Sequence, residues 1–290
     1  MIVVRIHGGL GNQMFQYALG RHLSLTTGQH LRLETGMYNP SHLGKFDLDK
    51  FHIAGTIASP LECSLLWRPA ARLIPRISER LRLPRGLLRV YCQPPSMEVD
   101  EEVLGITASA YLVGTWNDER YFSRSADVIR RDLTLKEPPN GVNARRLKEV
   151  VESQSVAVHV RRGDYVHNPW TASGYNVCDL DYYRRACALI SASVQAPQYF
   201  IFSDEPRWCR ENLGFIRNMT VVDTNTPEQR YEDLRLIAAC KHFIIANSSF
   251  SWWGAWLGTD PSKVVVAPLR WSVSNWFDVR KWLPAAWQLV

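Results

Sequence analysis

Residues 155–165 read SVAVHVRRGDY: a short, mostly apolar run ending in His159 and Val160, then two arginines, a glycine, an acid and Tyr165. A short apolar run bounded by turn chemistry predicts a strand buried on both faces, as in a parallel sheet. Downstream, QYFIFS (198–203), MTVVDT (219–224), HFIIAN (242–247) and KVVVAP (263–268) have the same texture. The helical patterns DLDYYRRACALISAS (179–193) and YEDLRLIAACK (231–241) lie between them. Strands alternating with helices predict a doubly wound α/β lobe over 146–290.

The start of the chain repeats the logic. IVVRI (2–6) reads as a strand, HGGLGNQ (7–13) as a glycine turn, MFQYALGRHLSLTTG (14–28) as a helix and LRLET (31–35) as a second strand. This β-α-β opening predicts an N-terminal α/β lobe over 1–145. Between 36 and 150 the pattern is irregular and broken by prolines 60, 69, 75, 84, 94 and 95.

Composition narrows the function. Of 290 residues 46% are hydrophobic and 21% charged, an ordinary globular balance. Net charge is +6, which favours anionic ligands but is too dilute for a nucleic-acid wrapper, so no nucleic-acid partner is expected. No signal-peptide pattern opens the chain and no apolar run approaches the roughly 20 residues of a membrane span, so a soluble, cytoplasmic protein is expected. Six scattered cysteines, Cys63, Cys92, Cys178, Cys187, Cys209 and Cys240, form no CxxC pair and are expected to be free thiols.

Four stretches carry chemistry. In 155–165, alternation sends Val158 and Val160 to one face and His159 and Arg161 to the other. Arg161 and Arg162 then stand at the C-terminal end of a strand, where open α/β sheets bind ligands, and a guanidinium can grip a diphosphate bidentately. The RGD string at 162–164 is fused to that strand and is disfavoured as an adhesion site. At HFIIAN–SSFSWWGAW (242–256), Asn247, Ser248, Ser249 and Phe250 lead a strand into a helix, whose outward N–H groups and positive dipole end suit a phosphate. Trp252, Trp253 and Trp256 are expected in the core. The turn at Gly9, Gly11, Asn12 and Gln13 could bring backbone near a phosphate or sugar, with helix capping the rival account of Asn12 and Gln13. It fails as a dinucleotide fingerprint because Met14 replaces the third glycine. Asp204 and Glu205, after QYFIFS, suit hydrogen bonds to a base or ribose. The strings Asp47/Asp49 and Asp179/Asp181 follow no convincing strand and are expected to be solvated acids, leaving no metal site.

Together, HGGLGNQMFQYALG, HVRRGDY, FSDE and NSSFSWWGAWL resemble the α-1,2-fucosyltransferases of glycosyltransferase family eleven, over nearly the whole chain. The resemblance implies a GT-B-like fold, two Rossmann-type lobes with a nucleotide-sugar cleft between them, the N-terminal lobe on the acceptor side and the C-terminal lobe binding GDP-fucose. It implies inverting, metal-independent transfer of L-fucose from GDP-β-L-fucose to the 2-hydroxyl of a terminal galactose, with no cofactor. By position it makes Arg162 the diphosphate contact, supports phosphate contacts by Ser248 and Ser249, places Asp204 or Glu205 near the guanosine and Asn12 beside the sugar. Charge growing on the leaving GDP is then met by a preorganised positive site, chiefly Arg162. His159 and Asp164 are both candidates for the base that deprotonates the acceptor, and Asp164 is equally a candidate to orient an arginine. Fucosyl transfer of other regiochemistry (α-1,6 or protein O-fucosyl) and a non-catalytic nucleotide- or glycan-binding module are the alternatives.

A last feature is basic. Arg68, Arg72, Arg76 and Arg80 recur every four residues, with Arg82, Arg85 and Arg89 following and Leu73, Ile74, Ile77 and Leu81 between. As a helix this stripe would dock peripherally on an anionic membrane, although Pro69, Pro75 and Pro84 oppose one continuous helix.

Overall fold

The computed structural model describes residues 1–36, 38, 45–59, 89–94, 98–274 and 278–290. The chain forms two units, Met1–Lys136 and Glu137–Val290. A boundary at 145 would cut the helix Gly141–Glu152, which belongs whole to the second unit.

In the first unit the strands are β1 (Ile2–Arg5), β2 (Leu31–Glu34), β3 (Thr56–Ile57), β4 (Arg89–Cys92) and β5 (Ala110–Val113). They pair in parallel in the order β3-β2-β1-β5-β4. Ile2, Val3 and Val4 have no exposed surface, as expected of a β-branched strand covered on both faces. Gly8 then turns the chain at φ +77, a conformation that a side chain disfavours, and α1 (Leu10–Thr27) follows. Leu10, Met14, Phe15, Ala18 and Leu19 bury its inner side. Two short α-helices follow, α2 (Glu101–Leu104) and α3 (Ala126–Asp132).

The second unit has a six-stranded sheet: β6 (Ser155–Val160), β7 (Gln198–Ser203), β8 (Met219–Val222), β9 (His242–Ile244), β10 (Val265–Ala267) and β11 (Gln288–Leu289). All pairs are parallel, in the order β11-β10-β9-β6-β7-β8. Every residue of β6 is buried. The helices are α4 (Gly141–Glu152), α5 (Gly163–His167), α6 (Pro169–Tyr175), α7 (Leu180–Ser193), α8 (Pro206–Asn212), α9 (Arg230–Ala239) and α10 (Ser249–Leu257). On α10, Trp252 and Trp253 are fully buried and Trp256 is 4% exposed. Their rings interlock at 5.1 to 6.1 Å, and Trp287 covers Trp252 at 5.6 Å. Each buried indole removes roughly 200 Å² from water, which by area is worth about 5 kcal/mol as an upper bound.

Cys92, Cys178, Cys187, Cys209 and Cys240 are free thiols, while Cys63 lies outside the described residues. No described helix is long and apolar enough to cross a membrane. The arginine stripe, Arg89 excepted, lies outside the described residues; Arg89 opens β4 and pairs with Glu102.

Candidate active site

Strand order locates the site in the second unit. From β6 the chain builds outward through β7 and β8, then returns to lay β9 on the other side of β6. That reversal opens a crevice at the C-terminal ends of β6 and β9, the place where doubly wound sheets hold ligands. Arg161 and Arg162 leave the tip of β6 there, and α10 begins just beyond β9. The two sides meet where the ring of His159 lies 5.6 Å from that of Phe250.

The arginines have separate surroundings. Arg161 pairs through Nη1 with Asp204 Oδ2 at 2.9 Å and through Nη2 with Asp164 Oδ1. Its guanidinium lies 5.5 Å from the ring of Tyr165, whose hydroxyl donates to the Asn247 carbonyl at 3.3 Å. Arg162 donates from Nε to Glu205 Oε2 at 2.9 Å and from its backbone N–H to Asp204 Oδ1 at 2.9 Å. Its guanidinium stacks on Trp208, 3.8 Å from the ring centroid. Arg161 therefore shares the α10 side of β6 with His159, and Arg162 leans toward α8.

Asp204 and Glu205, expected at a guanosine, are instead partners of the arginines. The register explains it: Val160 pairs with Ser203, so the residues that follow on each strand are neighbours. Gly163 permits the approach, because a Cβ there would lie 2.7 Å from Asp204 Oδ2. Burial alone would raise Glu205; hydrogen bonds from Arg162 and His167 outweigh it and hold the carboxyl below its ordinary value. Two arginines thus face three carboxylates, Asp164, Asp204 and Glu205, and the site is no bare positive patch. Directed N–H groups, more than net charge, must attract an oxyanion here.

Neither residue expected as a base is poised as one. His159 is 7% exposed, and burial, followed by the charge of Arg161, pushes it down to about 3. It is therefore neutral near pH 7. Its Nδ1 has no hydrogen-bond partner among the described residues. Asp164 is bound to Arg161, the orienting role also foreseen for it.

At α10 the amides of Ser249, Phe250 and Ser251 precede the first helical bond, from Trp252 N–H to the Ser248 carbonyl at 3.0 Å. Ser248 Oγ accepts from Phe250 N–H at a long 3.4 Å, so this cap is weak. Ser249 and Phe250 are half-buried. Asn247 is not available to a donor: its Nδ2 donates to the carbonyls of Tyr175 at 2.8 Å and Trp271 at 2.9 Å, and its Oδ1 accepts from Cys178 Sγ at 3.5 Å. It ties α6 to the segment after β10 beneath the site.

A second feature escaped the sequence. The starts of α4 and α9 border a cavity of about 260 Å³ lined by Asn140, Asn143, Arg145, Thr224, Asn225 and Gln229 among others. Asn143 and Asn225 exchange amide hydrogen bonds of 2.8 and 3.1 Å, and Asn225 donates to Asp233 Oδ1 at 2.7 Å. Burial pushes Asp233 up to about 6, against the lowering effect of the Asn225 bond. An acid in the first turn of a helix was the only signal, and it reads equally as dipole compensation. Trp208 left a similarly ordinary trace, one aromatic on the inner face of a short helix.

In the first unit, Gln13 is fully buried rather than at the mouth of the turn. It donates to the carbonyls of Gly8 at 3.0 Å and Lys45 at 2.7 Å and accepts from Asp47 N–H at 3.0 Å. Gly11 is buried, while the space beside Gly9 is open. Asn12 is half-buried, with no side-chain hydrogen bond among the described residues. Asp47, expected in solvent, is 1% exposed, whereas Asp49 pairs with Lys50 on the surface. Asp179 caps α7 by accepting from Tyr182 N–H at 2.7 Å, and Asp181 lies near Arg184 at 3.8 Å. No cluster of three or more potential metal ligands occurs among the described residues.

Comparison with known proteins follows the same lines. The sequence model described as Glycosyl transferase family 11 matches residues 1–287. An α-1,2-colitosyltransferase of Escherichia coli is 34% identical over 279 residues, covering 93% of this chain and 92% of the relative. The O-antigen biosynthesis glycosyltransferase WbnK of Escherichia coli is 30% identical, covering 93% and 94%. A galactoside α-(1,2)-fucosyltransferase 2 of Bos taurus is 34% identical over 146 residues, 47% of this chain and 41% of its own. Among solved structures, ADP-heptose LPS heptosyltransferase II of E. coli superposes with a TM-score of 0.51 at 14% identity, covering 100% of this chain and 89% of that one. A FUT1 variant of Arabidopsis thaliana in complex with GDP gives 0.50 at 11%, covering 98% and 72%. At these identities the likeness concerns the fold, which is of the GT-B kind.

Proposed function

The chain belongs to glycosyltransferase family 11, and from that premise we propose that it transfers L-fucose from GDP-β-L-fucose to the 2-hydroxyl of a terminal galactose in a glycan, with inversion. The observation that carries this reading is the meeting of His159 and Phe250, which brings the arginine-bearing tip of β6 beside the open amides of α10. Both bring N–H groups to one crevice, with the Phe250 amide held only by a long bond to Ser248 Oγ, the arrangement needed where negative charge grows on a departing diphosphate. Arg161 is the leading guanidinium and Arg162 the second. Asn143 and Asn225, which line the cavity at the starts of α4 and α9, are assigned to the base, with Asp233 holding the Asn225 amide in place. In the first unit Asn12 is assigned to the sugar, and the second unit is the donor-binding one. The guanidiniums and helix amides together can neutralise the leaving group, so the reaction is proposed to need no metal and no cofactor.

A second donor has a specific argument. Colitose is L-fucose without its 3-hydroxyl, and a colitosyltransferase is among the relatives that match nearly the full chain. The test offers the purified chain GDP-fucose and GDP-colitose separately, with a β-galactoside acceptor. Faster turnover of GDP-fucose and an α-1,2 product support the proposal. Preference for GDP-colitose moves the donor, an α-1,6 product or a fucosylated protein moves the acceptor, and nucleotide binding without turnover leaves a binding module.

A further inference from the structure

Arg162 is held on three sides. Its root is fixed by the bond from its backbone N–H to Asp204 Oδ1, 2.9 Å. Its Nε is taken by Glu205 Oε2 at 2.9 Å, and Glu205 is itself steadied at Oε1 by His167 Nε2 at 2.6 Å. The flat face of the guanidinium rests on Trp208, 3.8 Å from the ring centroid. Trp208 is half-buried, and it packs against the core cluster that includes Tyr183, Ile201 and Cys209. A guanidinium fixed at Nε and supported on one face can point only its two Nη groups outward. These two nitrogens have no hydrogen-bond partner among the described residues, and two parallel N–H groups are the geometry that grips a phosphate bidentately.

We propose that Trp208 and Glu205 are positioning residues for Arg162: an indole shelf and a carboxylate stop that hold its Nη fork ready for the second diphosphate contact. This rests on the nucleotide-sugar reading above. Neither residue touches the nucleotide; both act through Arg162. An arginine left to find this pose from solution would give up several rotamers on binding, and the shelf removes that cost in advance.

The test is a double-mutant cycle on the full chain, with GDP as the probe and its Kd read by calorimetry. Trp208→Leu is expected to weaken GDP about tenfold, while Trp208→Phe, which keeps a π face, stays within about threefold. In an Arg162→Ala background the same Trp208→Leu change should alter Kd by less than about twofold, because the residue it serves is gone. Should Trp208→Leu fail to fold, Glu205→Gln runs the identical cycle at a site outside the core. Equal losses with and without Arg162, or no loss in the wild-type background, would overturn the proposal. Failure of the unmutated chain to bind GDP would instead defeat the nucleotide-sugar reading itself, and this proposal with it.

Discussion

The imidazole of His159, on the central strand β6, lies 5.6 Å from the ring of Phe250 in the first turn of α10. Through that contact the tip of β6, which Arg161 follows, borders the start of α10, whose Phe250 amide has only a long bond to Ser248 Oγ. Arg161→Ala is therefore expected to lower kcat for transfer by about 10²- to 10³-fold, the usual loss when one stabiliser of a developing anion is removed. Arg162→Ala, whose guanidinium rests on Trp208 of α8, should cost less, and Arg161→Lys should rescue poorly because a point charge lacks the fork. Steady-state kinetics of the three variants checks the ranking; a larger loss at Arg162 would reverse the assignment.

Asp233 gives nucleotide binding a pH dependence of defined sign. With its carboxyl raised to about 6, it is an acceptor at pH 7 and protonated at pH 5. Protonation weakens its hold on the Asn225 amide that lines the cavity, so GDP affinity should fall as pH drops, by up to about tenfold between pH 7 and 5. Asp233→Asn should bind weakly and with a flat profile over the same window. Isothermal titration at several pH values reads both, and a profile unchanged by the substitution would remove Asp233 from the base site.

Much of this arrangement was legible before any coordinates. The texture of SVAVHV and of the four later runs specifies parallel strands, and all five are strands of one sheet, although β8, at its edge, is only partly buried. The strands β3 and β4 were not legible, since their residues are mostly exposed and no apolar run marks them. The site's residue types were readable but not their pairings. Asp204 was a sound candidate for a ribose until the β6/β7 register placed it against Arg161 and the Arg162 amide. Gln13 and Asn247 were misplaced for a related reason: polar residues in turns look available in sequence, and only tertiary packing shows whether carbonyls have already engaged them.

Transfer should persist in excess EDTA, because the leaving diphosphate is met by guanidinium and amide N–H groups. Initial rates with and without chelator, then with added magnesium or manganese, decide this. Loss on chelation that metal restores would show that the protein groups do not suffice.

Trp252→Ala separates stability from chemistry. The indole is fully buried among Trp253, Trp256 and Trp287, so its loss should cost about 3 to 5 kcal/mol of folding stability. Thermal unfolding should show the drop, whereas transfer measured well below the new midpoint should keep its KM for the donor. A raised donor KM in the folded variant would mean that the tryptophans also shape the ligand site.

The central claim is that one crevice, between the tips of β6 and β9, holds the diphosphate. A crystal structure of the chain with GDP tests it most directly. The account predicts phosphate oxygens within hydrogen-bond distance of the Arg161 guanidinium and of the backbone amides of Ser249 and Phe250, with the guanine edge at Asn143 and Asn225. A diphosphate bound elsewhere, touching neither Arg161 nor the start of α10, would contradict it.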